Sequence, residues 1–333
     1  MMAPVIVRVD DSSHVAAARR AAADLSWRLH FDETTAGRLA LVVTELATNL
    51  VKHGGGGEVL LRQMEASPDT VEVFALDRGP GMANVARCLE DGYSTAGSPG
   101  TGFGAVQRVA SGFDVWSRPK SGAAVRIEIA PAGEARREAG FQVGGLSVPA
   151  AGETECGDAW SAESRPGSLM LLVVDGLGHG PDAAIAARQA VQSFDGTPGV
   201  LPALRVEALN LALRPTRGAA VAVAHIDASR KVVRFAGLGN ISAAIYSAES
   251  VRHLVSQHGT AGQGTRRIEE YTYPWDQRAV LVMHSDGIAA RHDLTTYPGL
   301  LERHPGLVAG VLYRDFARGR DDVTAVVARR SAA

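Results

Sequence analysis

Residues 169–180 read Leu-Met-Leu-Leu-Val-Val-Asp-Gly-Leu-Gly-His-Gly. The apolar run Leu169–Val174 is far too short to cross a membrane. Bounded by glycines, it reads as a strand buried on both faces. Such a strand delivers its last residue, Asp175, to the rim of a sheet, with Gly176 directly after it. The pattern recurs at Val280–Ser285, where Asp286-Gly287 follows. Two more acidic positions stand beside strand-like segments: Asp158 in Cys-Gly-Asp-Ala-Trp, and Asp321-Asp322 ahead of Val323-Thr324. A single Asp-Gly reads equally well as a turn. Several carboxylates at one rim repel one another unless a cation sits between them, so together they point to a hard metal site holding two magnesium or manganese ions. Two such ions activate a bridging water and clamp a phosphoryl group. His179 reads either as a general acid or as a helix cap.

Around this stretch, Phe141–Pro149, Ala219–Asp227, Lys231–Gly237, Ala243–Ser247 and Thr324–Arg329 read as further strands. Asp-Ala-Ser-Arg forms a hairpin turn between the second and third of these. The alanine-rich Pro181–Ser193 reads as a helix. Pro131–Glu138 is small, charged and non-periodic, and marks a junction between two halves. Before it, strands are expected at Val5–Val9, Glu58–Glu65, Thr70–Asp77, Phe113–Ser117 and Ala123–Ala130, and helices at Val15–His30, Glu33–Lys52 and Ala105–Ser111.

The second of those helices carries Glu45 and Asn49, four apart and so on one face, with His53 continuing the stripe. A carboxylate and an amide oxygen together suit a hard cation carrying nucleotide phosphates, and also suit a plain solvated face. Val71–Asp77 ends in an acid ahead of Arg-Gly-Pro-Gly. There a carboxylate accepts from an exocyclic amine while the backbone passes close to a ring. Ser98-Pro-Gly-Thr-Gly-Phe-Gly104 then leads into a helix, whose free N–H groups face an anion. It is neither a Rossmann nor a Walker loop. No lysine lies in it, which leaves Lys52, His53 and Arg108 as candidate phosphate partners or ordinary surface residues.

The chain has 333 residues and a net charge of −2, so two packed domains are expected and no bulk field favours nucleic acid. Its two cysteines make neither a disulfide framework nor a zinc spacing. The segment MMAPVIVRVDDSSH lacks a basic stretch followed by an apolar one, and no membrane span is visible, so the expectation is a soluble cytoplasmic protein. Glycine is 37 residues, about 11 %, against a usual share of about 7 %. Much of the excess sits in the stretches quoted above.

In order and spacing the first half resembles the ATP-binding domain of the GHKL superfamily. Glu45-x-x-x-Asn49 is similar to its N box, Asp77-x-Gly79-x-Gly81 to its G1 box and Gly100-x-Gly102-x-Gly104 to its G2 box. The nearest likeness is to bacterial partner-switching serine/threonine kinases and anti-sigma factors. Asp91-Gly-Tyr-Ser-Thr95 is similar to the stressosome (RsbT-like) branch. By that likeness Asn49 holds Mg2+, Asp77 binds the adenine amine and Glu45 acts as base or water-orienter. Gly79, Gly81, Gly100, Thr101, Gly102 and Gly104 complete the ATP cradle.

The second half resembles the SpoIIE/RsbX-like branch of PPM serine/threonine phosphatases. Gly157-Asp158, Asp175-Gly-Leu-Gly-His-Gly180, Gly237-x-Gly239-Asn240, Ser285-Asp286-Gly287 and Asp321-Asp322-x-Thr324 fall in that family's order. The likeness implies two Mn2+ or Mg2+ held by Asp158, Asp175, the Gly176 carbonyl, Asp286 and one of Asp321 and Asp322, with Asp321 favoured. His179 is then the candidate acid.

The fold class implied is α/β (α+β): residues 1–131 as a GHKL (Bergerat) α/β sandwich on one mixed sheet, and 139–331 as a PPM-type α-β-β-α sandwich. The function implied is a bifunctional switch that phosphorylates and dephosphorylates a STAS-domain partner, with a sigma factor or a nucleotide cyclase as further output. The alternative is a first half that only sequesters a partner, leaving the phosphatase as the sole activity. No nucleic acid or membrane partner is expected.

Overall fold

A computed structural model describes residues 3–64, 67–88, 102–131, 140–196, 201–264 and 267–331. The chain separates into two compact units, Met1–Arg136 and Arg137–Ala333. The junction read at Pro131–Glu138 lies almost wholly outside the described residues, as do Gly100, Thr101 and Asp91–Thr95. Among the described residues no helix is long and apolar enough to cross a membrane.

The first unit begins with β1 (Val5–Val9), α1 (Ser12–Arg28) and α2 (Glu33–Asn49). Asp11 and Asp32 cap the two helices, each accepting an N–H two or three residues on. Then come β2 (Gly57–Met64), β3 (Ser67–Leu76), the short α3 (Val85–Cys88), α4 (Gly102–Val109), β4 (Gly112–Ser117) and β5 (Ala123–Ile129). The strands form one five-stranded sheet in the order β1-β2-β3-β5-β4. Every pairing in it is antiparallel, which corrects the expected mixed sheet. The cause lies in the connections: β1 leaves through α1 and α2 and returns as β2 in the opposite sense, and each later neighbour reverses again.

Leu39, Val42, Val43 and Leu46 of α2 bury against Val59, Leu61, Val73, Val125 and Ile127 of the sheet. Strand β3 also carries Glu72, wholly buried, ion-paired with Arg62 of β2 and Arg126 of β5. Arg38 of α2 ties the unit together. Its guanidinium donates to the carbonyls of Val109 and Ala130 at 2.8 Å each, and to the Ser111 hydroxyl at 3.1 Å. One side chain thus joins α2 to the last carbonyl of α4, where a cation also complements the helix dipole, and to the end of β5.

The second unit contains β6 (Phe141–Val148), β7 (Asp158–Arg165), β8 (Ser168–Gly176), α5 (Pro181–Asp195), α6 (Pro202–Ala212), β9 (Ala219–Asp227), β10 (Val232–Leu238), β11 (Ser242–Tyr246), β12 (Val251–His253), β13 (Tyr271–Pro274), β14 (Val280–His284), α7 (Pro305–Phe316) and β15 (Val323–Arg330). Two five-stranded sheets result, β13-β10-β9-β8-β7 and β12-β11-β14-β15-β6. The run in β8 shows why both faces are apolar. Leu169, Leu171 and Val173 enter the core shared with β11, β14 and β15, while Met170, Leu172 and Val174 pack on α5 and α6. On the second sheet α7 packs against β6 and β15. This is the α-β-β-α layering expected.

Replacing Arg38 by alanine leaves two backbone carbonyls without their donor. It is expected to cost about 2 kcal/mol, read as an earlier thermal transition of the full chain, with lysine recovering part of the loss.

Candidate functional site

In the first unit Glu45 and Asn49 lie half-buried on α2, and Asp77 follows β3 almost fully buried. After Asn49 the helix widens into a π-turn, Leu50–Gly54, a form frequent near functional sites. The turn brings Gly54 down on Asp77: a Cβ at Gly54 would lie 3.0 Å from that of Asp77. Gly79 then stacks on Gly54 so closely that a Cβ there would fall 2.3 Å from the Gly54 carbonyl oxygen. The first two motifs are therefore joined backbone to backbone, and close approach explains both glycines. Asp77 Oδ1 accepts the N–H of Gly79 at 2.9 Å and of Ala123 at 3.2 Å, which fixes the carboxylate. Asn49 Nδ2 is buried without a hydrogen-bond partner. Gly104 is buried in α4, whereas Lys52, His53 and Arg108 are exposed.

In the second unit Asp158 opens β7 and pairs in register with Asp175 of β8, so the two carboxylates share a face. Asp286 arrives from the end of β14 and Asp321 from the approach to β15, so both sheets contribute acids to one end of the sandwich. Asp158 is 3 % exposed and its Oδ2 is buried without a partner. Burial, and then the facing Asp175 charge, hold its carboxyl well above the usual range. Burial and the charges of Asp286 and Asp321 push Asp175 up to about 7. Asp286 is raised by burial and Asp321, although Asn240 Nδ2 donates to its Oδ2 at 2.8 Å.

Asp175, Asp286 and Asp321 line a cavity of about 470 Å³. Among the described residues no three His, Cys, Asp or Glu side chains already converge at metal distance; the three lining acids surround a space. The orphaned Asp158 oxygen and the mutually raised carboxylates fit a divalent cation.

Two candidates lie off the cavity. Asp322 is one: its Oδ1 accepts the Ala150 N–H at 2.8 Å and its Oδ2 the Gly157 N–H at 2.9 Å, and it does not line the cavity. It holds the β7 approach in place, and its backbone leaves no room for a Cβ at Gly287, which would sit 1.9 Å from the Asp322 carbonyl oxygen. His179 is neither cap nor cavity residue. Its Nδ1 meets Glu153 at 2.7 Å on the surface, and the cap of α5 is Gly180 with no side-chain bond. The sequence reading passed over His258 and Thr260, which line the cavity from a loop.

The profile of stage II sporulation protein E (SpoIIE) matches residues 165–331, and that of the histidine kinase-like ATPase domain matches residues 9–129. Serine/threonine-protein kinase RsbT of Bacillus subtilis (strain 168) is 28% identical over 110 residues, 33% of this chain and 83% of that protein. A structure from work on the bacterial stressosome, a modular system adapted to control secondary messenger signalling, matches with a TM-score of 0.53 at 28% identity, covering 57% of this chain and 99% of that one. RsbX crystallised with magnesium shares the fold, with a TM-score of 0.53 at 17% identity over 60% of this chain and 99% of that one.

Two outcomes follow from the geometry. Gly79→Ala separates the π-turn from Asp77, and fluorescent ATP-analogue binding is expected to weaken more than about tenfold. Asp158→Asn removes an uncompensated buried charge. Without metal the variant is expected to melt about 2–4 °C above wild type, about 1 kcal/mol for a unit of this size. It loses most of the stabilisation that Mn2+ gives wild type.

Proposed function

This chain belongs to the SpoIIE family and carries a histidine kinase-like ATPase domain ahead of the matched region, and from that premise we propose a bifunctional switch acting on one phosphoprotein. The two proposed domains are 1–131 and 139–331. The first transfers phosphate from ATP to a serine or threonine of a STAS-domain partner in the cytoplasm. The second removes it. The observation that carries this reading is that two phosphate-handling motif sets lie in two separate compact units of one chain. Adding and removing phosphate on one chain makes sense when the substrate is shared. The likeness to RsbT and to a stressosome structure supports a partner-switching context.

In the first site Asn49 would hold Mg2+, Asp77 would read the adenine amine, Glu45 would orient the attacking hydroxyl, and the glycines Gly79, Gly81, Gly100, Gly102 and Gly104 with Thr101 would cradle ATP. Phosphoryl transfer asks chiefly for positioning and charge neutralisation, which a rigid backbone junction supplies. In the second site Asp158, Asp175, Gly176, Asp286 and Asp321 would hold two Mn2+ or Mg2+, which when bound activate water and neutralise phosphate charge. Asn240 keeps Asp286 oriented, and Asp322 keeps the Gly157-Asp158 turn against β15.

The test mixes the full chain with a STAS-domain protein encoded beside it, labelled ATP and each metal. Asp175→Ala is expected to accumulate more phosphoprotein than wild type. Glu45→Ala is expected to transfer none, yet still remove phosphate from pre-phosphorylated partner. No gain with Asp175→Ala and no loss with wild type would contradict the proposal. Loss without gain would favour the partner-sequestering alternative.

A further inference from the structure

Cleaving a seryl or threonyl phosphoester leaves an alkoxide unless a proton reaches the departing oxygen as the bond breaks. The cavity acids are committed to a cation. His179 is held on the surface by Glu153 and does not line the cavity. Asn240 spends its amide on Asp286 at 2.8 Å. Among the described lining residues His258 is the one histidine, the side chain suited to exchanging a proton near neutral pH.

Its mounting is rigid. The Gln257 N–H donates to the Gly237 carbonyl and the Gly239 N–H to the Gln257 carbonyl, both at 2.8 Å. The Gln257 side chain also accepts the Glu269 N–H at 2.8 Å. Three residues beyond His258, Ala261 exchanges both backbone hydrogen bonds with Ala219, at 2.9 and 3.1 Å. Between these anchors Gly259 takes φ +145°, a conformation open to glycine, and rests on Leu238. The backbone under His258 is therefore fixed while the residue itself stays exposed at the cavity. A structural histidine has its ring bonded and buried; this one is presented.

We propose that His258 is the general acid of the hydrolytic reaction, an assignment that rests on the phosphatase reading of this cavity. Water attacks phosphorus and forms the new P–O bond as the bond from phosphorus to the seryl or threonyl oxygen breaks. The imidazolium of His258 gives its ring proton to that leaving oxygen. The proton shed by the attacking water returns through solvent to the imidazole. The products are the free hydroxyl and hydrogen phosphate.

The experiment uses the full chain with Mn2+ and two substrates, a phosphoserine peptide with a poor leaving group and p-nitrophenyl phosphate with a good one. His258→Ala and His258→Gln are expected to lower kcat on the peptide by about 10²-fold or more and on p-nitrophenyl phosphate by less than about tenfold. The Mn2+-induced rise in melting temperature stays as in wild type, and His253→Ala, outside the cavity lining, changes neither rate. Equal losses on both substrates, no loss on either, or a lost Mn2+ response would overturn the assignment. If wild type hydrolyses neither substrate, the phosphatase reading itself fails, a result distinct from selective failure of the His258 variants.

Discussion

A carboxylate buried beside another carboxylate is the constraint on which the second unit depends. Asp158 is sealed from water, faces Asp175 across a strand pair and keeps one oxygen without a partner. The first unit handles the same difficulty differently. Its Glu72 is equally buried but sits between two guanidinium groups, so compensation is built into the protein. At Asp158 burial and the charges of three other aspartates raise the carboxyl, and the Ser285 side chain works against them. Desolvated charge of this kind persists only where something external neutralises it. Much around it keeps the acids from separating: the β7–β8 register, Gly157 packed on Asp322, and Gly287 pressed on the Asp322 carbonyl.

The first unit organises its site by close backbone contact rather than by charge. A π-turn drops Gly54 onto Asp77, Gly79 covers Gly54, and the Asp77 carboxylate is clamped by two backbone N–H groups. Arg38 then fastens the helix carrying Glu45 and Asn49 to α4. The two units thus present different things: one a backbone junction held by close glycine contacts, the other a concentration of negative charge at one end of its sandwich.

Much of this was legible in the sequence, for local reasons. Leu169–Val174 is apolar throughout because both faces of β8 are buried, and the acid after it marks where the core ends. Besides the short α3, β12 and β13, three elements were not legible. Strand β7 is an edge strand whose polar residues hide its alternation. Helix α6 exposes Leu204 and Leu211 while burying Arg205 against Glu163 and the Phe194 carbonyl, which reverses the usual pattern. Helix α7 carries two glycines, one of which lets β6 approach it at Gly144. Non-local contacts decide how the site residues are placed. That Asp322 is engaged by two backbone N–H groups, while Asp321 lines the cavity, shows only in the folded chain. His258 reaches the cavity only because Gln257 bridges to β10, which no local spacing reveals.

The most direct test of the account is electron paramagnetic resonance of the full chain titrated with Mn2+. The account predicts about two bound ions per chain with a spin-coupled signal, since acids from both sheets converge on one cavity. A spectrum of free aqueous Mn2+ throughout the titration, or a single isolated ion, would contradict it.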